Sequence, residues 1–216
     1  MNLTKKLSLA LTIVAAACLV HADEPASTDT SAGTLGQRYA ELSFTNQVIE
    51  HVSSNNNYYY GELGANVPVT KGLDLGGSYT YGWFNHLGQS LRSNLGEADA
   101  TAYVTCAGVK PFAALDLGYQ WDRTTAANYF ARSEYAVWGM AAGIEIPVGP
   151  VAITPFADYG TDFRRSIAST QDLDLGVKIN YWYNERWAVF ANVYHEDVMH
   201  SSSDSFNWSL GLRRKF

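Results

Sequence analysis

Six residues with chemical potential fall close together: His195, Glu196, Asp197, His200, Ser202 and Asp204. A serine hydroxyl becomes a nucleophile when an imidazole takes its proton and a carboxylate holds that imidazole in place, the arrangement hydrolases use. It needs all three groups on one rigid face. Here His200 and Ser202 stand in the run His200-Ser201-Ser202-Ser203-Asp204-Ser205, whose expected state is a solvated loop. A hydrolase acting on membrane lipid is an alternative that stands only if His200→Ala or Ser202→Ala abolishes such an activity. His51 and His86 are isolated, with no partner at metal-ligand spacing. The expectation is no catalytic site, no metal and no cofactor.

A second set is spread along the chain. Glu41, Glu62, Asp74, Asp99, Asp116, Asp122, Glu145, Asp158, Asp172 and Asp174 each sit among apolar neighbours, with Lys178, Arg213 and Lys215 as the few opposite charges. Carboxylates gathered around one axis attract cations, and once enclosed each must be paired or solvated. Whether they gather depends on the elements that carry them.

Those elements read as strands. Phe206, Trp208, Leu210 and Leu212 share one parity while Asn207, Ser209, Gly211 and Arg213 share the other. Strict period two gives a strand with one apolar and one polar face. The same alternation begins near Arg38 and makes nine runs before this one. Leu173, Leu175, Val177, Ile179 and Tyr181 against Asp172, Asp174, Gly176, Lys178 and Asn180 is one of the clearest, and the run around Pro155 is the least regular. The breaks alternate in length. Pro68–Gly72, Gly108–Pro111, Pro147–Pro150 and Tyr183–Arg186 are short; Ser53–Asn57, Asn85–Gly96, Arg123–Glu134, Arg164–Gln171 and His195–Asp204 are read as longer loops. Ten strands with short turns at one end and longer loops at the other predict a closed antiparallel up-and-down β-barrel, eight strands being the lesser alternative.

Alternation alone does not say which row faces out, since a soluble sandwich would bury the apolar one. Aromatic residues gather at strand ends, among them Tyr58, Tyr59, Tyr60, Trp83, Trp121, Tyr181, Trp187 and Trp208. Rings with an apolar body and a polar tip suit the headgroup level of a bilayer. Gly64, Gly76, Gly118, Gly143, Gly176 and Gly211 all lie on the polar row, where a narrow lumen has little room. Both features put the apolar rows toward lipid and the carboxylates inside.

The start of the chain supports export. Lys5 and Lys6 precede the apolar run Leu7–Val20, and Val20-His21-Ala22 offers small residues for cleavage, so residues 1–22 are expected to be a cleaved secretory signal peptide. Residues 23–37, rich in Ser, Thr, Asp, Ala and Gly, are expected to be a flexible periplasmic lead-in, with the barrel at 38–216. Without residues 1–22 the chain carries 13 basic and 21 acidic residues, a net charge of −8, which argues against nucleic acid as a partner. Cys106 is then the lone cysteine, so no internal disulfide forms.

The signal-like start, the strand rhythm and the final Leu212-Arg213-Arg214-Lys215-Phe216 resemble the small bacterial outer-membrane β-barrel superfamily, the OmpX-like, OmpA-like and porin-like barrels of Gram-negative cells. The resemblance implies an outer-membrane location and a terminal Phe216 that is part of the signal read by the barrel-assembly machinery. The strand count departs from the eight of the OmpX-like and OmpA-like types. His200-Ser201-Ser202 resembles the His-x-Ser of outer-membrane lipid A deacylases, which set that pair on a lipid-facing strand with a Glu on the next; the closing strand here has no Glu.

Two roles are therefore expected of a barrel that is not an enzyme and stands as a monomer. One is a narrow small-solute passage with an acidic lumen; the other is a structural or surface-contact barrel, adhesin-like or supporting membrane integrity, with a plugged lumen. Arg123, Arg132, Arg164 and Arg165 are expected to meet the phosphates of lipopolysaccharide.

Overall fold

A computed structural model describes residues 32–50, 57–86, 89–126, 129–164, 171–199 and 204–216. Residues 1–22, expected to be a signal peptide, and most of the lead-in lie outside the described residues, as do His51, Arg165, His200 and Ser202. Ten strands follow one another: β1 Tyr39–Ile49, β2 Asn57–Thr70, β3 Leu73–His86, β4 Gln89–Tyr103, β5 Lys110–Ala126, β6 Tyr129–Val148, β7 Val151–Asp162, β8 Gln171–Trp182, β9 Trp187–Val198 and β10 Ser205–Lys215. Each pairs antiparallel with the next, and β1 pairs with β10, closing the barrel. Closure leaves no unpaired strand edge, the condition for crossing a bilayer with strands.

The apolar rows face out. Leu63 is 60% exposed, Leu117 55% and Leu210 57%, while the alternate residues Asn66, Asp74, Glu145, Asn180, Asn207 and Arg213 are buried. In water that arrangement would be inverted, so the outer face is built for lipid. At the loop end an aromatic belt runs from Trp208 through Phe44, Tyr59 and Trp83 to Tyr81, with ring centroids about 6 Å apart. At the turn end Arg214 lies over Trp187 and Phe216.

Two of the breaks read from the sequence are not loops. β3 and β4 run to His86 and from Gln89, and β5 and β6 run to Ala126 and from Tyr129, so Asn85–Gly96 and Arg123–Glu134 are largely strand. The period of two persists there, but Arg92, Asn94, Arg123 and Arg132 replace apolar residues on the outer row and the hydropathy contrast disappears. The backbone ladder needs no such contrast, so these hairpins rise beyond the apolar band. Pro155 lies within β7; there the β6–β7 pairing is interrupted between Gly143–Phe156 and Ile146–Ile153, where Pro155 has no N–H to donate.

Inward glycines face large inward groups on neighbouring strands. A Cβ on Gly176 would stand 2.6 Å from the Val193 carbonyl oxygen and 2.9 Å from Phe156 Cζ. Backbone cannot yield as a side-chain tip can, so Gly176→Ala is expected to cost about 1–3 kcal/mol by overpacking. The check is the urea midpoint of barrel refolded in lipid vesicles, with the boiled-against-unboiled gel shift showing that the closed barrel still forms.

Candidate functional site

The interior has three zones. At the turn end, Arg213 is fully buried. Its Nε donates to Glu41 Oε2 at 2.9 Å, its Nη2 also bonds that oxygen, and its Nη1 donates to Asn180 Oδ1 at 2.9 Å. The guanidinium lies between the rings of Tyr39, 4.3 Å away, and Phe190, 4.8 Å away. Lys178 Nζ stands 4.0 Å from Glu41 Oε1 and 4.8 Å from the Phe190 ring. β1, β8, β9 and β10 are thus tied together by one ion cluster.

Residues 32–37, the end of the stretch 23–37 expected to be a flexible periplasmic lead-in, enter this end of the barrel and cross it. The Ala32 carbonyl accepts from Trp182 Nε1 at 2.6 Å and Asn180 Nδ2 at 3.3 Å, and Ala32 packs with Ala152, Trp182 and Ala188. Glu145 Oε2 accepts from the Thr34 N–H at 2.6 Å and its hydroxyl at 2.7 Å, with the Leu35 N–H at 3.4 Å. Lys110 Nζ donates to the Leu35 carbonyl at 3.1 Å. The Gly36 N–H donates to Asp74 Oδ2 at 2.8 Å, and Asn66 Nδ2 bonds both that oxygen and the Gln37 carbonyl. A strap of small residues is therefore held by side chains of β2, β3, β5, β6 and β8. Glu145 and the Oδ2 of Asp74, on residues each 1% exposed, find in its N–H groups the donors that burial demands.

The middle zone is acidic. Glu62, Asp99, Asp116, Asp158 and Asp174 share the inward parity with Glu97 and Asp172. The register sets Asp99 opposite Asp116, Asp158 opposite Asp174, and Asp174 opposite Glu196. Like charges directly opposite are destabilising unless something neutralises them. Among the described residues no Lys or Arg makes an ion pair with any of these; Lys178 and Arg213 both pair with Glu41 at the turn end, and Arg164 pairs with Asp162 at the loop end. Between this zone and the strap lies a cavity of about 170 Å³ bounded in part by Tyr39, Glu41, Glu62, Asp74 and Asp99. Glu97 was not among the expected acids because it adjoins a stretch read as loop; its place two residues before Asp99 is the signal that marks it.

At the loop end the lumen is crossed by hydrogen bonds. Asp122 accepts from Ser93 at 2.7 Å, Gln120 at 3.0 Å and Tyr135 at 3.1 Å. Glu196 accepts from Gln47, Ser205 and Asn207, with Tyr60 donating to Gln47. Arg164, one of the arginines expected to meet lipid phosphates, lies 2.5 Å from Asp162 and stacks 3.8 Å over the inward ring of Tyr135. The hydrolase grouping is not assembled by the described residues: His195 pairs across from outward Phe206 and Leu175, so it faces lipid, and Glu196 beside it faces the lumen.

Neither the family models nor the curated proteins contain a match to this chain. Solved structures do match. The translocator domain of the autotransporter NalP from Neisseria meningitidis aligns with a TM-score of 0.52 at 7% identity, covering 99% of this chain and 96% of that one. An outer membrane channel from Pseudomonas putida F1 aligns with a TM-score of 0.52 at 11% identity, covering 89% and 100%. Neisserial surface protein A gives 0.48 at 12% identity, covering 83% and 97%. At these identities the two likenesses with a TM-score of 0.52 establish the fold alone, a closed antiparallel β-barrel of the kind found in outer membranes, and the outward apolar face independently calls for lipid around it.

Proposed function

We propose that this outer-membrane barrel is a narrow, cation-preferring passage for small solutes, held closed at its turn end by the strap of residues 32–37. The observation that carries the reading is the middle zone, where carboxylates face one another across strands without basic partners. A purely structural lumen gains nothing from Asp99 against Asp116 or Asp158 against Asp174, and each such pair weakens the sheet. A passage gains selectivity from rings of carboxylate, which draw cations and repel anions. Ten strands limit the bore, so large solutes are excluded.

A structural or surface-contact barrel with a plugged lumen is the second reading, favoured by the strap and by the buried Arg213 cluster. Planar-bilayer recordings separate the two. With the strap released by Gly36→Pro, the passage reading expects discrete single-channel steps and a reversal potential in a potassium chloride gradient on the cation side. Adding Asp116→Asn and Asp158→Asn should move that potential toward zero. A released barrel that never exceeds leak would establish the structural reading.

A further inference from the structure

On the outer face, three arginines stand side by side on adjacent strands. The register sets Arg92 of β4 opposite Arg123 of β5, and Arg123 opposite Arg132 of β6. All three are exposed. Directly opposed residues have Cβ atoms about 4.5–5.5 Å apart, so three positive charges lie within roughly 11 Å. Their described contacts are with aromatic groups. Arg92 Nη1 bonds the Tyr81 hydroxyl, and the guanidinium carbons of Arg123 and Arg132 lie 4.9 and 5.4 Å from the Phe130 ring centroid. Glu134 is the carboxylate on this face next to the row, and it accepts from the Tyr119 hydroxyl. A positive excess remains.

The level of the row says what neutralises it. Read outward along β5, the lipid-facing side chains are Leu115, Leu117, Tyr119, Trp121 and then Arg123. This is tail-facing aliphatic, then interfacial aromatic, then cation. On β6 the order is Met140, Trp138, Ala136, Glu134, Arg132. A strand advances about 3.3 Å per residue and barrel strands tilt by about 35–45°, so the Arg123 backbone stands about 5 Å higher than that of Trp121, whose ring marks the membrane interface. Phosphate groups of the lipid headgroups occupy that layer. Guanidinium groups in a fixed row match phosphate oxygens bidentately, and stacking on Phe130 holds two of them in place before a ligand arrives.

We propose that Arg92, Arg123 and Arg132 form a docking site for the phosphorylated headgroup of an outer-leaflet lipid, of the lipid A type. The site is independent of whether the lumen conducts. A free inorganic anion would have no reason to prefer a row set at the edge of an apolar wall, whereas a lipid phosphate is delivered there by its own tails.

The test uses the full barrel refolded in neutral detergent and titrated with diphosphorylated lipid A, reading the thermal midpoint. Lipid A is expected to raise the midpoint in a saturable, salt-sensitive way. R92Q/R123Q/R132Q should shift the titration to at least tenfold higher lipid, while its unboiled gel band stays fast because the replaced side chains pack on nothing inside. Lipid A stripped of both phosphates should bind the wild type as weakly as the intact lipid binds the triple variant. Equal effects of intact and dephosphorylated lipid, or an unchanged titration in the variant, would overturn the proposal. Inorganic phosphate at matched concentration should do nothing; if it reproduced the whole effect, the site would be an anion site and not a lipid dock.

Discussion

Arg213→Met is expected to produce the largest loss of stability available to a single lumen substitution. The side chain is fully buried, and it is the group that neutralises Glu41 from within hydrogen-bonding distance. Methionine fills much of the space between Tyr39 and Phe190 but leaves the Glu41 carboxylate facing Lys178 alone at 4.0 Å. Removing one member of a buried pair strands a charge, at a typical cost of about 3–5 kcal/mol. The cluster also joins β1 to β10, the pair that closes the barrel, so the cost falls on closure itself. The measurement is the urea midpoint in lipid vesicles. Arg213→Met with Glu41→Gln should recover most of the loss, because the stranded charge is gone and an amide replaces it. If the double variant were as unstable as the single one, packing between the two rings rather than charge would be what Arg213 supplies. A single variant that fails to fold leaves the comparison intact, since recovery is read in the double.

The sequence made the barrel legible because period two survives every detail of packing. The ten runs and the shared row of Glu41, Asp74, Asp116, Asp158, Lys178 and Arg213 follow from parity; that this row faces inward follows only once the aromatic residues at strand ends and the glycines of the polar row are added. Parity does not report height or depth. The hairpin extensions carrying Arg92, Arg123 and Arg132 read as loops because their outer row turns polar and the contrast between rows is lost. Arg92 was missed altogether, since its meaning lies in the register that sets it beside Arg123. The contacts of Arg164 are as little reported by parity: two residues from Asp162 and close to an inward tyrosine, it folds onto both. The strap was invisible on different grounds. Ala32, Thr34, Leu35 and Gly36 offer mainly backbone N–H and carbonyl groups, which every residue has, and only the barrel interior shows that Glu145 and Asp74 need them. Both acids were expected in the lumen; their ligand, a segment of the same chain, was not.

Gly36→Pro is expected to release that segment while leaving the barrel wall unaltered. Gly36 has φ +81°, which proline, fixed near −65°, cannot adopt. Its N–H donates to Asp74, and proline has none to give. A side chain here also meets the Tyr103 hydroxyl, whose oxygen would stand 2.7 Å from a Cβ. Adding Thr34→Pro removes the N–H that donates to Glu145 at 2.6 Å and the hydroxyl that donates at 2.7 Å. Charge-assisted hydrogen bonds are worth about 1.5–3 kcal/mol each, so losing these three takes away the shortest bonds between the strap and its two acids. Glu145 and Asp74 then need water, which enters only when the mouth opens. Leu35→Cys, in a Cys106→Ser background, reports the opening directly. Labelling by a membrane-impermeant maleimide should be slow in the otherwise native chain and at least tenfold faster with both prolines present. Conductance should rise with it. Fast labelling without conductance would mean that the strap does close the mouth but guards a lumen blocked again at Asp122 and Glu196. Equal labelling rates would mean that residues 32–37 do not hold the mouth shut at all.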